Sequence, residues 1–334
     1  MLDDKVVLVT GGTGSFGQKF VEIVLQRYHP RKLIVFSRDE LKQFEMHQKF
    51  PDGEYPCMRY FIGDVRDRDR LYRAFDDVDV VVHAAAMKQV PACEYNPVEA
   101  IKTNILGAAN VIDAAIDRGV QKVVALSTDK AANPVNLYGA TKLCSDKLFV
   151  AGNSYSGQHV TRFSVVRYGN VVGSRGSVVP VFTRARETGV LPITDTRMTR
   201  FWITLEQGVN FVLESLERMH GGEVFVPKIP SIRIIDLARA IAPECQIKVV
   251  GIRAGEKLHE VMVPEADAWH AVEYDDYFMV LPVTESGGIQ NYARQTGGRP
   301  CPDGFCYGSD TNPQWLSVEE LRSMVGLAEV EAID

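Results

Sequence analysis

The chain gathers its most reactive side chains in one stretch, Ser127-Thr128-Asp129-Lys130 followed by Tyr138-x-x-x-Lys142. The apolar run Val123-Val124-Ala125-Leu126 before it is short enough for a buried strand. Asn133-Pro134 then marks a turn into a helix that begins near Asn136. Tyr138 and Lys142, four residues apart, share one helical face, with the hydroxyl, carboxyl and amine of Thr128, Asp129 and Lys130 at the strand end. A nearby cation stabilises a phenolate and lowers a pKa that starts at about 10, so Tyr138 is the expected base. Taken singly, Asp129 reads as a helix-entry acid and Lys130 as a surface lysine, and Tyr138 with Lys142 fits a simple oxidoreductase or an epimerase. Next to a cofactor fold, they form a catalytic set.

Such a fold is legible upstream. The β-branched run at 6–10 leads into Gly11-Gly12-Thr13-Gly14-Ser15-Phe16-Gly17 and a helix at 18–27. Strand, glycine turn and helix together make a dinucleotide site: Gly11 for the tight turn, Gly14 for approach to a pyrophosphate, Gly17 for close packing, with Thr13, Ser15 and Phe16 in the same cofactor-binding turn. The second strand, 32–36, ends in Ser37-Arg38-Asp39. Arg38 accommodates a ribose 2′-phosphate, so NADP is favoured over NAD, with Asp39 as the contrary sign. A third strand at 60–65 brings Asp64 and Val65 to the adenine edge, although Asp64 also reads as a helix N-cap acid. The valines of 78–83 read as a strand buried on both faces, with His83 a packing residue. Ala84-Ala85-Ala86 then lets a cofactor lie close to the backbone. Lys88 sits in the following loop, and Asn104, also assigned to the cofactor, in a helix at 97–118. Strands at 122–126 and 160–168 and a helix at 136–151 complete the alternation. The expected class is α/β: a Rossmann-type, doubly wound, mostly parallel sheet whose ligands gather at the strands' carboxyl ends.

Beyond residue 180 the rhythm changes. Residues 1–180 are expected to form an NADP-binding Rossmann domain, and 181–334 a smaller, predominantly substrate-binding α/β lobe with segments that return to the sheet. Arg253-Ala254-Gly255-Glu256-Lys257 forms a charged loop before a helix-like 258–263, and 287–308 reads as a surface extension near an interface. Arg175, Arg184, Arg186, Arg197, Arg200, Arg253 and Lys257 are suited to clamp a diphosphate. A net charge of -6 argues against nucleic acid as the partner. No apolar run approaches the roughly 18 residues of a membrane span, and Met1-Leu2-Asp3-Asp4-Lys5 lacks the form of a signal peptide, so a cytoplasmic location is expected. The six cysteines are scattered apart from Cys301 and Cys306, which argues for reduced thiols and an incidental pair at a turn, with no metal.

Wider motifs narrow the chemistry. Ser127 to Pro134, Ala86-Met87-Lys88-Gln89-Val90-Pro91, Tyr168-Gly169-Asn170-Val171, Ser174-Arg175-Gly176-Ser177, Met198-Thr199-Arg200-Phe201-Trp202 and the 253–257 loop occur together. As a set they resemble the extended short-chain dehydrogenase/reductase superfamily. Within it they resemble the inverting UDP-N-acetylglucosamine 4,6-dehydratases that open pseudaminic acid biosynthesis. Retaining dTDP-glucose relatives carry Asp-Glu in place of Asp129-Lys130, and retaining UDP-N-acetylglucosamine relatives carry Met in place of Tyr138. The resemblance implies an NADP-dependent hydro-lyase acting on UDP-N-acetylglucosamine, with Lys88, Asn170, Arg175, Ser177, Arg200, Arg253 and Glu256 as substrate contacts. It also implies a homo-oligomer, such as a hexamer. Tyr138 would take the O4 proton while Thr128 holds that oxygen, a neutral Lys130 would take the C5 hydrogen, and a protonated Asp129 would release the C6 hydroxyl as water. The alternatives are a retaining dehydratase, a nucleotide-sugar 4-epimerase using only the Tyr and Thr, or a non-catalytic NADP-binding regulator.

Overall fold

Apolar runs rich in β-branched residues form the parallel centre of the molecule, because strands covered on both faces need no polar alternation. In the computed structural model, which describes residues 1–157, 159–174, 178–282 and 288–326, these are β1 (Val6–Thr10), β2 (Lys32–Ser37), β3 (Met58–Ile62), β4 (Val80–His83), β5 (Lys122–Thr128) and β6 (Arg162–Tyr168). They lie side by side as β3-β2-β1-β4-β5-β6, with every neighbouring pair parallel. The strand order reverses between β1 and β4, and a crevice opens at the carboxyl ends there. Thr10 and His83 face each other across that point, Oγ1 to Nδ1 at 2.8 Å. Burial pushes the His83 imidazole down to about 3, with the Lys142 charge adding to the effect, so it is a neutral core group.

The helix Ser15–Arg27 packs against Leu205–Arg218, and Gly107–Asp117 lies between Arg68–Ala74 and the long helix Leu137–Tyr155. The C-terminal half returns to the sheet: Val224–Pro227 joins β6 in parallel, and Tyr277–Val280, Ala271–Glu273 and Arg299–Pro300 extend it antiparallel to ten strands. A second, smaller core of Phe182, Leu191, Met198, Trp202, Ile232, Leu237 and Leu321 forms under two short sheets. One of these joins Asn170–Val171 and Ser231–Arg233 to Thr199–Ile203; the other pairs Val190–Ile193 with Gln246–Val249. No helix among the described residues is long and apolar enough to cross a membrane.

Three segments differ from the sequence reading. The helix expected at 97–118 is interrupted: Pro97–Ile101 and Gly107–Asp117 flank a π-helical turn, Lys102–Leu106. The wider turn places Asn104 inward, where it holds the backbone N and O of Met87 at 2.8 and 2.9 Å and the Thr141 hydroxyl at 3.0 Å. Residues 258–263 are not helical, because Val261–Val263 is extended and pairs with Tyr307–Gly308, burying Met262 and Val263. Part of the 287–308 stretch lies outside the described residues, but the remainder is built into the fold. Arg299–Pro300 forms a sheet edge, and the buried Tyr307 hydroxyl bonds both the N and O of Ile229 at 3.0 Å.

Gly17 tests how tightly the first helix seats on its turn, since an added Cβ there would stand 2.4 Å from the backbone of Gly12. Gly17→Ala is expected to lower stability by about 1–3 kcal/mol in thermal or denaturant unfolding, whereas Gly53→Ala, with nothing within 4 Å, should change it by less than about 0.5 kcal/mol.

Candidate active site

The crevice is a cavity of about 900 Å³, and its first wall is the glycine turn: Gly11, Thr13, Gly14, Ser15, Phe16 and Gly17 all line it. Gly11 takes φ +66°, and a Cβ there would come within 2.9 Å of Ala85, so turn and β4 tip are in close contact. Ala84, Ala85 and Ala86 line the cavity beside it with nothing larger than a methyl group. The N-cap of Ser15–Arg27 is Gly14, which has no side chain to cap the helix, and this end of the dipole is suited to an anion. These features fit a dinucleotide pyrophosphate.

At the tip of β2 the cavity is lined by Ser37, Arg38, Asp39 and Lys42, and opposite them by Asp64 and Val65. Asp39 is the N-cap of Glu40–Lys49: its carboxylate accepts from Lys42 N at 3.1 Å and pairs with Lys42 Nζ at 2.6 Å. Asp64 is held by Arg66 at 2.7 Å, with Arg38 at 3.8 Å. Burial raises the Asp64 carboxyl, but Arg66 and Arg38 outweigh it and hold the group below its usual range. Two cations, Arg38 and Lys42, thus stand at this end. Lys42 escaped the sequence reading because a single lysine on a polar helix carries no signal until the helix is placed.

The residues expected to carry the chemistry stand where β5 ends. Thr128 Oγ1 donates to Asp129 Oδ1 at 3.0 Å and accepts from Lys130 N at 3.3 Å, which closes a single turn, Asp129–Ala131. Asn136 then starts the helix Leu137–Tyr155, its Oδ1 accepting from Gly139 N at 2.8 Å. Gly139 brings helix and turn together, because a Cβ there would meet the Lys130 carbonyl oxygen at 2.2 Å. That contact sets Tyr138 beside Thr128 on the cavity wall.

The electrostatics correct two expectations. Burial alone would lower the Lys130 amine, but Asp129 Oδ1 at 3.0 Å and Glu260 Oε1 at 3.2 Å outweigh it and hold Lys130 well above the ordinary lysine range. Lys130 is therefore an ammonium in this site, not the neutral amine expected from sequence. Burial pushes the Tyr138 phenol up to about 12, countered in part by Lys130 and the Thr128 hydrogen bond. The cation that acts most on the phenol is thus Lys130. Lys142 lines the cavity on the same helical face, its own amine lowered by burial and supported by Asp146. Asp146 in turn accepts from Ser127 Oγ at 2.7 Å and lies 3.6 Å from Arg167.

On the remaining wall stand Lys88, Asn170, Arg253 and Glu256. Burial lowers the Lys88 amine. Asn170 Oδ1 is buried with no hydrogen-bond partner among the described residues, as suits an acceptor awaiting a ligand donor. Arg200 and Asn104 are not on the wall, and neither are Arg184, Arg186, Arg197 and Lys257. Arg200 donates to the carbonyls of Thr199, Leu258 and Lys257 at 2.6, 3.1 and 3.0 Å, so its guanidinium fixes the backbone of the 253–258 loop. Asn104, expected at the cofactor, acts one layer back by holding Met87. Arg175 and Ser177 lie outside the described residues. Tyr168 and Trp202 line the cavity without having been assigned a place in it, and Glu260, beside Lys130, passed unnoticed.

The chain is 58% identical over 335 residues to a UDP-N-acetylglucosamine 4,6-dehydratase (inverting) of Campylobacter jejuni subsp. jejuni, covering 98% of this chain and 99% of the relative. It is 42% identical over 306 residues to a UDP-glucose 4-epimerase of Rickettsia canadensis, covering 88% and 87%. The X-ray structure of Pen from Bacillus thuringiensis superposes with a TM-score of 0.88 at 38% identity, covering 98% of each chain. The polysaccharide biosynthesis protein family matches residues 7–282. With the Rossmann sheet and the Tyr138/Lys142 site, this places the chain in that family, among the extended short-chain dehydrogenases/reductases.

Proposed function

We propose that the protein is an NADP-dependent UDP-N-acetylglucosamine 4,6-dehydratase that inverts C5. The product is UDP-2-acetamido-2,6-dideoxy-β-L-arabino-hexos-4-ulose, on the way to pseudaminic acid or a related amino sugar. The observation that carries this reading is the hydrogen-bonded Asp129–Lys130 pair beside Tyr138, an acid and a base in direct contact at the catalytic end of the cavity. The named activity of the Campylobacter jejuni relative supports it. The cations Arg38 and Lys42 support a 2′-phosphate at the tip of β2, since Asp39 is turned to its own helix. Bound NADP would supply a hydride acceptor for C4 and return the hydride at C6.

The chain's own residues do the proton work. Tyr138 first gives its phenolic proton to solvent, a loss that Lys130 and the cofactor's charge would favour; the phenolate then takes the O4 proton, and the Thr128 hydroxyl holds that oxygen. Because Lys130 rests as an ammonium against Asp129, one proton passed along their 3.0 Å hydrogen bond creates both the amine and the acid that elimination needs. The Lys130 amine removes the C5 hydrogen, acidified by the neighbouring C4 ketone; Asp129 gives its proton to the C6 hydroxyl, which leaves as water. Lys130 is then again an ammonium and Asp129 a carboxylate, so the pair is restored. A proton reaching C5 from the opposite face gives the inverted sugar.

A 4-epimerase is the second reading, favoured by the Rickettsia canadensis relative. Epimerisation needs Tyr138 and Thr128 but gives the Asp129–Lys130 pair no task. Incubation with UDP-N-acetylglucosamine separates the two: the expected product is lighter by one water and shows the L-arabino configuration by NMR when fresh, whereas an unchanged mass selects the epimerase. Lys130→Ala should slow C5 proton exchange with deuterated solvent by about 100-fold or more while cofactor still binds, and unimpaired exchange removes Lys130 as the base. Arg38→Ala should weaken NADP about ten-fold more than NAD in a binding titration; equal losses would sink the 2′-phosphate assignment.

A further inference from the structure

Glu260 has no part in the chemistry above, yet it is among the most buried charges in the molecule, 2% exposed. Its carboxylate faces three cations from three elements: Lys130 Nζ at 3.2 Å, Lys257 Nζ at 3.5 Å and Arg200 Nε at 4.0 Å. Two of these are committed elsewhere, since Lys257 Nζ donates to Ala132 O at 2.6 Å and Arg200 donates to backbone carbonyls. Lys130 Nζ, by contrast, bonds to the carboxylates of Asp129 and Glu260. Ser309 clamps the Glu260 backbone on both sides, its Oγ accepting from Glu260 N at 2.9 Å and its N donating to Glu260 O at 2.8 Å. The acid is thus held rigidly by the C-terminal half against a lysine on the β5 turn. A buried carboxylate fixed at this distance both places an ammonium and favours its charged form.

We propose that Glu260 is a positioning residue for the reaction: it fixes Lys130 Nζ against Asp129, the contact across which the proton must pass. The inference rests on the dehydratase reading. Glu260 is itself held by Lys257 and Arg200, and the proton moves between Lys130 and Asp129. Around Lys130 the groups that share control are Asp129 from its own turn, Tyr138 from the catalytic helix, Glu260 beside Val261–Val263 and Arg200 from Thr199–Ile203. Glu260 and Asp129 favour the cation, and Arg200 opposes it.

The test is C5 hydrogen–deuterium exchange in the complete enzyme with cofactor and UDP-N-acetylglucosamine, read as its maximal rate and as the KM for the sugar. Glu260→Gln keeps the length and one acceptor oxygen but removes the charge that holds Lys130 Nζ against Asp129. Its maximal exchange rate is expected to fall about ten-fold while KM and NADP affinity change by less than about two-fold. An unchanged maximal rate, or a fall matched by loss of substrate and cofactor binding, overturns the proposal, because a merely structural acid would disturb the whole cavity. Glu260→Asp retains the charge but withdraws it by about one bond length, and is expected to lower the rate less than the Gln variant does. A maximal rate equal to wild type in Glu260→Asp also overturns the proposal, should the Gln variant not fold. Wild-type enzyme that releases no water from UDP-N-acetylglucosamine would defeat the dehydratase reading itself; water release with an unaltered maximal exchange rate in the variants would defeat only the role of Glu260.

Discussion

A lysine charge placed under the floor of a cavity governs the architecture around it. Removing an ammonium from water costs several kcal/mol unless well-placed anions surround it, and taking away one partner of such a pair costs about 3–5 kcal/mol. Lys130 meets that demand with Asp129 from its own turn and Glu260 from far along the chain. Glu260 in turn needs Lys257 and Arg200, and both of these are anchored to backbone carbonyls. The C-terminal half is therefore tied to the β5 turn by charge as well as by apolar contact. A second buried network repeats the arrangement one layer down, where Arg167 bridges Asp146 on the catalytic helix and Asp267 at 3.0 Å, and also donates to Met262 O at 2.9 Å.

The local contacts decide where the hydroxyls stand. The catalytic helix begins hard against the carbonyl of Lys130, a contact only a glycine permits, and this closeness lets Tyr138 reach Thr128. The same burial that organises the site also keeps the phenol neutral at rest. In the proposed reaction the phenol must therefore lose its proton before Tyr138 can act as a base.

What the sequence disclosed follows the range of the signals. The glycine turn after β1, the alanines after β4 and the Tyr138/Lys142 spacing are local patterns, and all stand on the cavity wall. Parallel order followed from the alternation of strands and helices. Pairings over long separations were not legible: nothing near Glu260 announces that it meets Lys130, and nothing near Arg200 tells a ligand clamp from a backbone brace. Val261–Val263 looked helical because a three-residue apolar run has no readable period, and its partner, Tyr307, lies far downstream. Asn104 stands one layer back from the cavity in a π-helical turn, which leaves no mark in the hydrophobic pattern.

Asn136 shows how such a design restricts substitution. Helix caps ordinarily accept Ser, Thr, Asp or Asn because each supplies one oxygen. Here the oxygen caps Gly139, while the other end of the same amide donates to the Gly255 carbonyl at 2.7 Å. A single planar group thus joins the start of the catalytic helix to the loop that presents Arg253 and Glu256 to the cavity. Asp, Ser and Thr would each serve the helix and abandon the loop. A position that any of four residues fills in most helices admits one here, and its identity records a junction between the two halves of the chain.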